Sequence, residues 1–90
     1  MTYKVDTEEY SQHIADRVAY YTTRFAEGAA LTFRDQQGLV GSVDYPTVED
    51  LRYSCEVNMH DTLDEYGYYG DWYAHDTAQH LFDKLIQKGN

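Results

Sequence analysis

His60 and Asp64, Asp71 and His75, and Asp76 and His80 each stand four residues apart. On a helix that spacing puts an imidazole and a carboxylate on one face, where they could share a metal ion or pass a proton. The pattern goes no further. No HExxH occurs, and DTLDEYG at residues 61–67 lacks the alternating acids and central glycine of a calcium loop. With 16 Asp and Glu in 90 residues, such pairs arise without design, and none is marked by its neighbours as a catalytic pair. Cys55, the lone cysteine, falls within an apolar helical arc, where it reads as a small packed hydrophobe and not as a nucleophile. Gly38, Gly41, Gly67 and Gly70 form no phosphate cradle, and a net charge of −9 repels nucleotide phosphates. The expectation is a protein that is not an enzyme, with no catalytic, cofactor or metal site.

A different concentration of chemistry lies at residues 66–73, YGYYGDWY. Tyr66, Tyr68, Tyr69, Trp72 and Tyr73 crowd together, with acids beside them at Asp64, Glu65, Asp71 and Asp76. The charge is just as uneven. Residues 44–76 carry nine acids and one base, Arg52, whereas residues 1–43 carry six acids and four bases. Between Tyr53 and Asp83 there is no lysine or arginine. A solvated helix gains from opposite charges one turn apart, and Asp61 with Asp64 or Glu65 does the reverse.

On a helical wheel Glu49, Asp50, Glu56, Asp61, Asp64 and Glu65 occupy the half opposite the apolar arc, with Tyr53, Val57 and His60 among them. Carboxylates one turn apart are roughly 5–6 Å from each other at Cβ, comparable to the spacing of phosphates along a nucleic-acid strand. The expected function is inhibition of a basic nucleic-acid-binding protein or effector complex by mimicry of a phosphate backbone. In size and acidity the chain is similar to the small DNA mimics that phages and mobile elements direct against restriction enzymes and CRISPR effectors. The expected partner-binding residues are Glu49, Asp50, Tyr53, Glu56, Asp61, Asp64, Glu65, Tyr68, Tyr69, Asp71, Trp72, Tyr73 and Asp76. The alternative is an antitoxin or regulatory subunit that binds through the Tyr/Trp loop or an open strand edge, its acidity serving only solubility.

The same composition excludes direct contact with nucleic acid or an anionic membrane, both of which need basic surface. One cysteine, no apolar leader in MTYKVDTEEY and no stretch of roughly 20 apolar residues point to a cytoplasmic protein, monomeric or homodimeric.

The elements that must position these residues read as one domain, residues 1–90, of α+β class in the order α-β-β-α-α. A first helix, capped by Asp6 or Thr7, runs to about Ala26 and stops at Gly28. Its core stripe is Tyr10, Ile14, Val18, Tyr21 and Phe25, with His13, Arg17, Tyr20 and Arg24 on the polar flank. ALTF (30–33) and LVGSVDY (39–45) then suggest an antiparallel hairpin around RDQQG, to which TYKV (2–5) could add a third strand. A second helix begins after Pro46 with a capping box of Thr47 and Asp50 and runs to about residue 66. It buries Val48, Leu51, Cys55, Met59, Leu63 and Tyr66, and GYYG interrupts it. A last helix, capped near Asp71, buries Ala74, Ala78, Leu81, Phe82, Leu85 and Ile86.

Overall fold

The computed structural model describes residues 8–88, with side chains from 12 to 87. They form three α-helices: α1 (Glu8–Gln36), α2 (Val48–Leu63) and α3 (Trp72–Lys88). No strand occurs among the described residues. The expected α+β class is therefore wrong, and the fold is an all-helical three-helix bundle. The proposed strand at residues 2–5 lies outside the described residues.

The correction has a local cause. Gly28 is not a terminator: α1 passes through it, and the supposed first strand, residues 30–33, continues the helix to Gln36. A glycine inside a helix costs about 1 kcal/mol, which the good helix formers around it and the packing of the next two turns offset. Ala26, Ala30 and Phe33 carry the buried stripe of α1 onward at helical spacing, and Phe33 meets Phe82 edge to face at 6.4 Å. The apparent alternation of Leu31 and Phe33 was too short to tell a strand from a helix. Leu31 is in fact exposed.

The supposed second strand is a loop. A short 3₁₀ turn at Gln37–Leu39 ends α1, and the chain then folds on itself, with the Gly41 amide donating to the Tyr45 carbonyl at 2.7 Å. Val43 is 95% exposed, so no apolar strand face exists there, and only Tyr45 packs partly on the core.

The expected capping box starts α2. The Asp50 amide donates to Thr47 Oγ1 at 3.3 Å, and the Thr47 amide donates to Asp50 Oδ2 at 3.0 Å. Leu51, Cys55, Met59 and Leu63 are buried, but Val48 and Tyr66 are exposed. The chain leaves α2 through a wide turn at Asp64–Tyr68, broken by Gly67 at φ 95°, with Gly70 following at φ 81°. Both angles favour glycine, so YGYYG is an α2–α3 connector. Asp71 starts α3, its Oδ1 accepting from the Ala74 amide at 3.1 Å.

Core packing fixes the directions. Tyr21 and Phe25 meet Tyr66 at 5.1 and 4.9 Å between ring centroids, while Arg34 near the end of α1 donates to the Leu85 carbonyl at 2.5 Å. Helix α1 thus runs parallel to α3 and antiparallel to α2. Its core face is Val18, Thr22, Ala26, Ala30 and Phe33, with Tyr21 and Phe25 half-buried at its edge. Thr22 is fully buried and donates to the Val18 carbonyl at 2.8 Å, which satisfies its hydroxyl. These small side chains leave room for Leu51, Leu63 and Phe82, all at 0% exposure. Ile14, placed on the core stripe by its spacing, is exposed, as are residues 12–17 generally. At about 1.5 Å per residue, 29 residues span about 43 Å. Helix α1 therefore projects past the α2–α3 turn. No helix among the described residues is long and apolar enough to cross a membrane.

Candidate functional site: the aromatic and acidic end at the α2–α3 turn

The carboxylates on α2 belong to two different populations. Arg52, Glu56, His60 and Asp64 recur every fourth residue and line the side of α2 that faces His75, Gln79 and Asp83, equally spaced on α3. Arg52 pairs with both Glu56, at 2.8 Å, and Asp83, and its guanidinium lies 5.6 Å from the centre of the Phe82 ring. The Gln79 amide donates to Glu56 at 3.0 Å and to Asp83 at 3.1 Å. That orientation turns the Gln79 carbonyl oxygen toward His60, whose Nε2 donates to it at 3.0 Å. His75 Nε2 donates to Asp64 at 2.8 Å, and the two imidazoles stack 4.8 Å apart at 9°. His60 Nδ1 is left buried without a partner among the described residues. This polar seam closes the gap between α2 and α3 where the apolar stripe ends. Sequence reasoning missed it, although the matching four-residue ladders on two neighbouring helices were its visible signal.

Glu56 and Asp64, both expected to face a partner, therefore each turn one carboxylate oxygen into contacts within the molecule. Arg52 likewise spends its guanidinium there. The other acids of the expected face remain exposed or half-exposed: Glu49 and Asp50 at the start of α2, and Asp61, Glu65, Asp71 and Asp76 around its end and the turn. Asp50 and Asp71 also cap helices. Between the two groups lie Tyr53, 69% exposed, and half-buried Val57. Asp50 and Asp61 are separated by about 16 Å of helix, so the acids form no unbroken row along α2. They divide into two groups.

The group at the turn is joined by the rings. Tyr69 is 84% exposed, Trp72 75%, Tyr73 63% and Tyr66 54%. Tyr68 instead turns inward, partly buried against the core and 6.5 Å from Tyr21. Trp72 and Tyr73 meet edge to face at 6.2 Å. Asp61, Asp64 and Glu65 also stand at the carboxyl end of α2, where the helix dipole opposes negative charge. Neither solvation of the rings nor the stability of α2 explains that arrangement.

An open cavity of about 540 Å³ lies at this end, lined by His60, Asp64, Tyr69, Gly70, Asp71, Trp72, His75, Asp76 and Gln79. Among the described residues, no three of His, Cys, Asp and Glu converge as metal ligands. Cys55 is buried between α1 and α2, and burial first, then the neighbouring Glu56 carboxylate, push its thiol ionisation up. A protonated, enclosed thiol is a poor nucleophile. Compared with known families, characterised proteins and solved structures, the chain matches no family model, no curated protein and no solved structure.

Proposed function

We propose that this chain is a binding protein, not an enzyme, that docks the α2–α3 turn end onto a basic nucleic-acid-binding partner and occupies the surface where that partner holds phosphates. One observation carries the reading: Tyr66, Tyr69, Trp72 and Tyr73 stay more than half exposed among carboxylates, in a stretch without lysine or arginine. Tyrosine and tryptophan supply contact area at low entropic cost and dominate binding hot spots. Dense negative charge steers a basic partner and pairs with its phosphate-holding side chains. An inhibitor of restriction or CRISPR nucleases fits this chemistry, and the single enclosed thiol suits a reducing, cytoplasmic setting.

The pairing of Glu56 and Asp64 within the seam favours a second reading. It turns one oxygen of each of these two carboxylates away from the phosphate-like row, leaving a module that binds mainly through its rings with acidity as a secondary aid.

Affinity capture from cells separates the two. For the mimic, the captured partner binds DNA or RNA, added nucleic acid displaces it, and retention falls steeply between low and high salt. A partner with no nucleic-acid affinity, held equally well in high salt, overturns mimicry and supports the ring-only module.

A further inference from the structure

We infer that the groove between the end of α2 and the start of α3 receives an arginine side chain of the partner. The inference rests on the binding role proposed above and names what this one cavity recognises. Its walls hold two chemistries suited to a flat cation. Tyr69 and Trp72 are among the most exposed rings of the molecule, and both line the cavity. Asp64, Asp71 and Asp76 line it as well, with no lysine or arginine. Asp64 accepts from His75 and Asp71 from the Ala74 amide, each through Oδ1, while Asp76 has no hydrogen-bond or ion-pair partner among the described residues. Every one of these carboxylates thus keeps at least one oxygen uncommitted to the contacts within the chain.

The chemistry of the lining favours guanidinium. A guanidinium stacks on an indole or phenol face while giving two parallel N–H groups to one carboxylate. An ammonium is a strongly hydrated point charge and does only the second half of that work. The stacked His60 and His75 rings line the same cavity. The cavity is open, so a long side chain enters from outside without a lid having to move.

The test uses the intact chain and the peptide acetyl-Gly-Arg-Gly-amide, followed by ¹⁵N NMR of the Trp72 indole and the Gly70 amide. Saturable shifts at both are expected at millimolar peptide. They should be roughly threefold weaker with lysine in place of arginine and lost with citrulline, which keeps the shape without the charge. Trp72→Ala and Asp76→Asn each weaken the response by about threefold or more, while Asp35→Asn, near the far end of α1, leaves it within about twofold. Both groove positions are exposed, and circular dichroism checks that the variants keep their helices. Equal shifts with citrulline, equal binding of lysine and arginine, shifts spread over every acidic residue, or no shift at all would overturn the pocket. The proposed function fails separately: a captured partner without nucleic-acid affinity sinks mimicry while leaving arginine binding intact. A peptide that misses the groove sinks the pocket even where nucleic acid displaces the partner.

Discussion

Cys55 shows what a single enclosed group does to the whole chain's tolerance of pH. The side chain is 3% exposed, and burial together with the Glu56 carboxylate raises its ionisation above the ordinary thiol value. In the unfolded chain the thiol loses its proton at lower pH than in the folded one. Its contribution to stability is therefore complete below the unfolded value, about 8.5, and is lost as pH rises through the folded value. Cys55→Ala removes the titration along with some packing. Urea melts should show the variant less stable by about 1 kcal/mol near neutrality, with the gap to wild type shrinking as pH rises above the unfolded thiol value of about 8.5. A gap that stays constant with pH would mean that the thiol ionises alike in both states. The seam beside it obeys a related economy of charge: one guanidinium, Arg52, serves both Glu56 and Asp83, and the uncharged Gln79 amide supplies the remaining donors.

Two glycines give opposite expectations at the scale of elements. Gly28 lies inside α1, and a Cβ there meets nothing within 4 Å. Gly28→Ala should stabilise the chain by about 0.5–1 kcal/mol. Gly67 also has open space around it but sits at φ 95° in the turn, so Gly67→Ala should cost about 1–2 kcal/mol through backbone strain alone. Thermal melts of the pair check the corrected fold, because a helix that ended at Gly28 would gain nothing from alanine. The contrast also explains what the sequence made legible. The Thr47–Asp50 box, the Asp71 cap and the buried four-residue ladder of α2 depend on neighbours within one turn, and each was readable. Ending α1 at Gly28 required weighing one poor residue against packing with Phe82, fifty positions away, and local pattern could not do that. The acids of α2 were misassigned for a similar reason. A wheel drawn on one helix puts Glu56 and Asp64 outside, and only the register of α3 shows that His75, Gln79 and Asp83 meet that side.

Across the whole molecule, shape and charge point to the same end. The radius of gyration is 15.6 Å and the extents are 53 × 23 × 17 Å, whereas a compact chain of this length would have a radius of about 12 Å. The excess comes from α1 running beyond the hairpin that α2 and α3 form against it. The turn between those helices thus sits partway along a rod, with the flank of α1 beside it, and carries the exposed rings and the unshared carboxylates. Charge and rings there should divide the work of binding in time. Coulomb attraction acts before contact, so Asp61→Lys combined with Glu65→Lys should slow association with the captured partner by about tenfold at low salt. The same pair should have little effect near 1 M salt, where screening reduces the Debye length to about 3 Å. A ring acts only once desolvated in its pocket, so Trp72→Ala should leave the on-rate nearly unchanged and raise the off-rate by about tenfold or more. Stopped-flow association across a salt series and dissociation by dilution measure the two steps separately. If the lysine pair altered only dissociation, or Trp72→Ala slowed association as much as the charge reversal did, steering by the acidic turn would have to be abandoned.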